Sequence, residues 1–201
     1  MSTKSSVPIE RRRKPDQVRE EALAIGRRLL ASSGPSAITL KAISTEMGMS
    51  HANLIHHFGS AEAYQDQLKS ALVQELTETA TALVHRYRAG QVRIADIVDT
   101  VFTAYGPGGI GTLVAWSAMS KTGRENHSLN QAILELVTVL EEVMTGPQAS
   151  SRARAAVSLV TYLALGDSLI GNALAKTMGS ERGEMRDLTV WILEQLHSAS
   201  R

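Results

Sequence analysis

Side chains able to pair with base edges or phosphates are concentrated between residues 39 and 58. Four of them, His51, Asn53, His56 and His57, fall within seven positions. An asparagine amide pairs with adenine through two hydrogen bonds, and a histidine donates to phosphate or to a base acceptor. These histidines are poorly spaced for a metal, because residues adjacent or five apart do not aim two imidazoles at one ion from one helix face. The residue types therefore favour contact with a nucleic acid over metal chemistry.

Two short helices separated by a tight turn must position these side chains. Thr39 is placed to cap a helix over Leu40–Met47. Gly48 supplies the left-handed conformation of a tight turn, and Ser50 is placed to cap a second helix over His51–Phe58. Helices joined by so brief a turn must cross steeply, which predicts a helix-turn-helix.

A helical wheel of the second helix separates a buried arc from an outward face. The wheel places Leu54, Ile55 and Phe58 on the buried arc. The outward face carries small, amide and imidazole groups, so it can enter a major groove without a clash. Outside this context, adjacent histidines would simply be solvated surface residues. The predicted DNA contacts are Thr39, Lys41, Ser50, His51, Ala52, Asn53, His56 and His57.

Residues 16 to about 72 resemble the DNA-binding domain of the tetracycline-repressor (TetR) family of transcriptional regulators. The positions that match the pattern of this family are Thr39, Lys41, Gly48, Ser50, Leu54, His56, Phe58, Ser60 and Glu62. Ile55 stands where the family often has a tyrosine, and Ala61 where it often has a phosphate-contacting lysine. Backbone N–H groups after Ser60 can still bind a phosphate at the helix N-terminus.

The resemblance implies an all-α protein with an N-terminal three-helix helix-turn-helix domain, followed by a helical ligand-binding and dimerisation domain. It implies a repressor that binds a palindromic operator in double-stranded DNA as a homodimer. It also implies that an unknown small-molecule effector enters the second domain and releases the DNA, and that the last two helices form the dimer interface.

Hydrophobic periodicity predicts about nine helices and no strand. Residues 1–14 are interpreted as a flexible basic arm, residues 15–60 as the DNA-binding domain, and residues 61–201 as the ligand-binding and dimerisation domain. Apolar residues lie all round the last two predicted helices, over residues 150–178 and 184–197. One-sided burial cannot satisfy this pattern, so these helices are either central in one bundle or packed against a second subunit.

Bulky or polar side chains within apolar helices are the candidates for lining a ligand cavity. They are Phe102, Tyr105, Trp116, Met119, Tyr162, Asp167 and Asn172. Ordinary core packing or a subunit contact is the alternative explanation for each. Asp167 is the most informative, because a carboxylate in an apolar segment must be paired, hydrated or ligand-facing. With only 4% aromatic residues, the cavity is predicted to be mainly aliphatic.

Several classes of protein are disfavoured by the sequence. Its polar, basic beginning does not resemble a signal peptide, and no uninterrupted run of 18 apolar residues predicts a membrane span. The absence of cysteine removes thiolate sites and fits a cytoplasmic location. No metal-ligand spacing, phosphate loop or nucleophile elbow is present, so neither an enzyme nor a cofactor is expected. A helical dimeric interaction module, or a small-molecule-binding protein without DNA binding, remains the alternative, and it would leave residues 39–58 unexplained.

The charge distribution predicts a salt-sensitive affinity for DNA. Residues 1–60, including a basic run at residues 11–14, carry nine lysines or arginines against five acids, a net charge of +4. The remaining 141 residues carry twelve against fifteen, a net charge of −3. Because neutralised phosphates release counterions, the Kd for duplex DNA is expected to rise steeply between about 50 and 200 mM salt. Fluorescence anisotropy of a labelled duplex measures this, and a flat response would contradict DNA as the partner.

Overall fold

The computed structural model describes residues 14–119 and 127–198, and these ranges contain nine helices and no strand. The helices are α1 (Pro15–Ser33), α2 (Leu40–Met47), α3 (His51–Phe58), α4 (Ala61–Arg88), α5 (Ile94–Tyr105), α6 (Ile110–Met119), α7 (His127–Val143), α8 (Ala149–Met178) and α9 (Glu184–Ser198). A short 3₁₀ turn, Pro35–Ala37, precedes α2, and a π-helical turn, Asp167–Gly171, lies within α8. The predicted all-α class and helix number are confirmed. α6 begins directly after Gly109, which ends the preceding loop with a φ of 79°.

The first three helices enclose a hydrophobic cluster that continues into the beginning of α4. Ile25 of α1, Ile43 of α2, Leu54 of α3 and Leu68 of α4 are buried in it. Leu113 of α6 belongs to the same cluster. The helix-turn-helix is therefore packed directly on the rest of the chain.

Tyr64 joins α4 to both α1 and α3. Its ring packs edge-on against Phe58, with ring centroids 4.9 Å apart, and its hydroxyl donates to the Ala22 carbonyl oxygen at 2.6 Å. Burial raises the pKa of the Tyr64 hydroxyl, an effect that a backbone hydrogen bond at Gly26 partly offsets. A Cβ atom at Gly26 would collide with this hydroxyl. The tyrosine therefore reaches α1 only because residue 26 has no side chain.

The later helices form a second hydrophobic cluster. α4 packs against α5 and α7, and α8 packs against α5, α7 and α9. Val73 of α4, Phe102 and Tyr105 of α5, and Ala164 of α8 are buried in this cluster. Leu72 of α4 packs against both clusters, so the 28-residue α4 connects one to the other.

Within the described ranges, α8 is the one helix long and apolar enough to cross a membrane, judged by length and composition alone. The apolar stretch of α8 is nevertheless interrupted by polar residues, so it contains no uninterrupted apolar run of the length that predicts a membrane span. A core helix of a globular protein meets the length and composition test equally well. Because α8 packs against four other helices, α5, α6, α7 and α9, tertiary contacts account for part of its apolar character.

The substitution Gly26→Ala tests the contact between Tyr64 and α1. Helix propensity favours alanine over glycine by about 1 kcal/mol, but the added Cβ collides with the Tyr64 hydroxyl. Overpacking of this kind costs about 1–3 kcal/mol, so the free energy of unfolding is expected to fall despite the better propensity. Urea denaturation measures it. Gly183→Ala is the control, because a Cβ there meets nothing within 4 Å; equal stability of the two variants would contradict the contact.

Candidate nucleic-acid interface and internal cavity

The three residues that the sequence indicated, Thr39, Gly48 and Ser50, define the ends of the helix-turn-helix elements. Thr39 Oγ1 accepts a hydrogen bond from the Ala42 backbone N–H at 3.1 Å, and Ser50 Oγ accepts one from that of Asn53 at 3.2 Å. Gly48 has left-handed backbone angles, φ 64° and ψ 29°. The two caps and the left-handed glycine are confirmed. Thr39 begins α2, Gly48 ends it and Ser50 begins α3, so only three residues join the two helices and the chain turns sharply between them.

Two side chains anchor α3 on the core beneath it. Leu54 and Phe58 are buried, four residues apart on one face of the helix. Ile55 was predicted on the same buried arc, and that prediction is wrong, because its side chain is 40% exposed. The neighbouring helices α1, α2 and α4 cover α3 along the line of Leu54 and Phe58, and Ile55 lies about 100° round the helix from Leu54 and about 60° from Phe58. α3 therefore presents an apolar side chain at the edge of its outer face.

The predicted DNA contacts lie at the beginning of α2 and along α3. Thr39, Lys41, Ser50, His51, Ala52, Asn53 and His56 are exposed, and His57 is half-buried. The rings of His56 and His57 meet edge-on with centroids 5.9 Å apart. The outer face of α3 therefore combines an amide, a methyl group and imidazoles, as the wheel indicated, and its part in binding stays a prediction.

The beginning of α4 offers backbone N–H groups close to α3. Ser60 caps this helix, with its Oγ accepting from the Ala63 backbone N–H at 3.1 Å. Glu62 lies in the first turn. Of the basic run at residues 11–14, only Lys14 is within the described ranges, where it is exposed immediately before α1; the remainder of the predicted arm lies outside them.

The second hydrophobic cluster contains an internal cavity of about 130 Å³. Side chains of α4, α5, α7, α8 and α9 line it, joined by Ile110 at the start of α6. Among the described residues its wall includes no Asp, Glu, Lys or Arg. Most of the lining is aliphatic, and this agrees with the mainly aliphatic cavity expected from the low aromatic content.

Only Tyr105 among the seven cavity candidates lines this space. The predictions that Trp116, Met119 and Tyr162 line it are wrong, because these side chains are 45%, 77% and 72% exposed on the outside of their helices. Asn172 is exposed as well. The lining residues that were not predicted from the sequence are aliphatic residues on the buried faces of their helices, such as Leu136. Their periodicity is the same as that of ordinary core residues, so the sequence carries no signal that separates the two.

Phe102 and Asp167 are buried but do not line the cavity. The Phe102 ring instead carries the guanidinium of Arg186 at 5.5 Å from its centroid. Asp167, at the start of the π-helical turn, pairs with Arg182, with Nη2 and Oδ2 3.4 Å apart. The Asp167 carboxylate is therefore paired, which was one of the three possibilities, together with hydration and contact with a ligand.

The cavity-lining end of α5 is close to the helix-turn-helix. Tyr105 is its last residue, and the loop of residues 106–109 follows directly. Gly109 packs so tightly on Leu30 of α1 that a Cβ atom there would collide with the leucine. Beside this contact, Arg27 of α1 pairs with Glu75 of α4, with Nη1 and Oε2 2.6 Å apart. The cavity wall at Tyr105 is thus connected to α1 by the loop of residues 106–109.

A buried lysine links α4 to α6. Lys69 Nζ donates to Asp66 Oδ1 and to Ser117 Oγ, each at 3.1 Å. A buried ammonium group is tolerated only when it is paired in this way. The contact holds α6 against the half of α4 that packs on the helix-turn-helix.

The last two helices, α8 and α9, both carry large apolar side chains that are exposed. We call these residues the α8–α9 surface: Tyr162, Leu169, Ile170, Leu174, Met178, Met185, Leu188 and Trp191. Several large apolar side chains exposed on two neighbouring helices are typical of an interaction surface. The pattern of apolar residues all round these helices therefore arises from one face turned inward and one face left uncovered.

Solved TetR-family structures have a similar fold. A TetR-family transcriptional regulator from Pectobacterium atrosepticum matches with a TM-score of 0.65 at 14% identity, over 92% of this chain and 95% of that one. The multidrug binding protein EbrR, solved with imidazole, matches with a TM-score of 0.62 at 12% identity over 89% and 94%. A TetR transcriptional regulator from Legionella pneumophila matches with a TM-score of 0.60 at 15% identity over 92% and 98%. No protein-family model matches the sequence, and no curated protein is significantly similar to it. The chain therefore has the all-α fold of these regulators, at an identity that establishes the fold alone.

The substitution Asn53→Ala tests the outer face of α3. The Asn53 side chain is exposed, and only its backbone N–H takes part in the Ser50 cap. Binding to a specific duplex is expected to weaken by about 1–3 kcal/mol, with the melting temperature unchanged. Titration against a selected duplex measures this. Asn130→Ala removes an exposed asparagine of α7 as the control; equal affinities of the two variants would refute the assignment.

Proposed function

We propose that the protein is a DNA-binding transcriptional regulator, a repressor that binds a palindromic operator as a homodimer and releases it when a small molecule enters the cavity. One observation carries the proposal: the capped α2–α3 unit exposes Asn53 and His56, with half-buried His57 beside them, above a buried anchor of Leu54 and Phe58. The fold shared with solved TetR-family regulators supports it. Such a regulator works in the cytoplasm, where it meets DNA.

The outer face of α3 suits a major groove in both shape and chemistry. The groove is about 12 Å wide and admits one helix. Small residues at the start of α3, such as Ala52, allow close approach, while Asn53 offers two hydrogen bonds to adenine. Exposed Ile55 can meet a thymine methyl group, and Lys41 can contact phosphate. Each of these groups stands on a helix fixed by buried anchors, so the face is presented rigidly.

We propose that a second copy of the chain packs against the α8–α9 surface. Two helices with one face each in the hydrophobic cluster and one face outside form a four-helix interface when two copies meet about a two-fold axis. Such a dimer carries two α3 helices related by the same axis. This arrangement matches an operator with two half-sites, which is why a palindrome is expected.

The cavity and its neighbourhood support release by a small molecule. EbrR, which has a similar fold, is described as a multidrug binding protein. In this chain the wall at Tyr105 is followed by the loop that packs on Leu30 of α1. A molecule that displaces this wall would move the helix-turn-helix, together with the start of α4, relative to the second hydrophobic cluster, and the spacing of two reading helices would change.

Selection of bound duplexes from a random pool tests the proposed function. Enrichment of a palindromic sequence is expected. A pool with no enriched sequence would overturn the proposal and favour the alternative, a helical dimeric or small-molecule-binding protein without DNA binding.

The substitution Trp191→Glu tests the proposed dimer. The wild-type protein is expected to sediment as a dimer at micromolar concentration, and the variant as a monomer, because the interface would bury an unpaired carboxylate. Analytical ultracentrifugation distinguishes the two. Leu134→Glu is the control, since Leu134 is an exposed apolar residue of α7 outside the α8–α9 surface. A monomeric wild type, or a Trp191→Glu variant that stays dimeric, would contradict the interface.

A further inference from the structure

We infer that the cavity binds a small uncharged molecule with an apolar body and one hydrogen-bonding group, which pairs with the Tyr105 hydroxyl. The inference rests on the proposed function for its regulatory meaning, and it adds the chemical class of the effector. Three properties of the cavity carry it: the charge of the wall, the state of Tyr105 and the volume.

The wall of the cavity excludes charged molecules. Its described lining includes no acidic or basic side chain other than His197, which lies against Tyr87 at the end of the cavity formed by the last turns of α4 and α9. Thr77, another polar residue of the wall, already donates its hydroxyl proton to the Val73 carbonyl oxygen. At the Tyr105 end of the cavity an ionised group would find no lysine, arginine or carboxylate in the described wall, and uncompensated burial of an ion is very costly. The molecule that fits is therefore neutral.

Tyr105 supplies the polar contact. Its side chain is only 3% exposed and lines the cavity. Its hydroxyl makes no hydrogen bond to another residue in the part of the chain that the structure describes. The hydroxyl oxygen is not sealed off by neighbouring side chains, so a molecule in the cavity with one donor or acceptor gains a hydrogen bond that the chain leaves open. Burial raises the pKa of Tyr105, which keeps the hydroxyl protonated and able both to donate and to accept.

The volume limits the size of the molecule. An apolar cavity of roughly 150 Å³ holds benzene, and this cavity measures about 130 Å³. A single ring or a short branched chain is therefore the size class that enters without rearrangement. The hydrogen-bonding group would point toward the end of the cavity at Tyr105, next to the loop that contacts α1.

Phenol and toluene test the role of the hydroxyl, because they have the same size and differ in one polar group. Titrations of wild-type protein and Tyr105→Phe, followed by methyl NMR of the lining leucines and isoleucines, give both the location and the Kd. Tyr105→Phe is expected to weaken phenol binding roughly three- to tenfold, the effect of one net hydrogen bond. Toluene affinity is expected to stay within about twofold. Circular dichroism melting establishes that the variant is folded.

Nitrobenzene and benzoate test the neutrality of the ligand, because they have the same shape and differ in charge. Nitrobenzene is expected to shift the lining methyl signals, and benzoate is expected to leave them unchanged. Tyr87→Phe removes the same group at the opposite end of the cavity and is the comparison for Tyr105.

Four results would overturn the inference: binding of none of the neutral probes, binding of benzoate as tight as that of nitrobenzene, an unchanged ratio of phenol to toluene affinity in Tyr105→Phe, or loss of phenol affinity in Tyr87→Phe instead. All these measurements are made without DNA. Their failure would leave the selected operator intact, and failure of the operator selection would leave the cavity results standing.

Discussion

The burial of Tyr64 is the constraint on which the position of the reading helix depends. This residue lies on α4, packs edge-on against Phe58 of α3, and donates a hydrogen bond to the Ala22 carbonyl oxygen of α1. Gly26 provides the space for that contact. A buried hydroxyl has to be paired, and here its pairing fixes three helices relative to one another. The exposed side chains of α3 are consequently held by a rigid support instead of a mobile loop.

The same helix that carries Tyr64 also forms a wall of the cavity. α4 passes from the first hydrophobic cluster to the second, and Leu72 packs in both. α6 makes the reverse connection, because Leu113 is buried with the helix-turn-helix while Ile110 lines the cavity. Packed interiors deform in discrete steps. A molecule bound among these side chains would therefore displace α1 and α4 together.

The apolar character of α8 and α9 has two separate origins. Their inner faces complete the second cluster, whereas the α8–α9 surface stays uncovered in one chain. Within α8, the π-helical turn holds Asp167, which Arg182 neutralises. The pairing gives this carboxylate a structural role, so the acid that looked most unusual in the sequence does not face the cavity, whereas the hydroxyl-bearing side chain of Tyr105 does.

Local chemistry in the sequence determined the helices and the turn between α2 and α3, because Thr39, Gly48 and Ser50 act on backbone groups only two to four residues away. It also identified the exposed amide and imidazoles of α3, since a helical period of 3.6 residues assigns faces within one element. Tertiary packing decided the rest. Ile55 proved exposed because α1, α2 and α4 cover a narrower arc of α3 than the wheel assumed. Trp116, Met119 and Tyr162 point outward, and Tyr105 lines the cavity, because the relative rotation of five helices selects which apolar face surrounds the space. Periodicity reports that a face is buried, but which neighbour buries it depends on contacts between residues far apart in the chain.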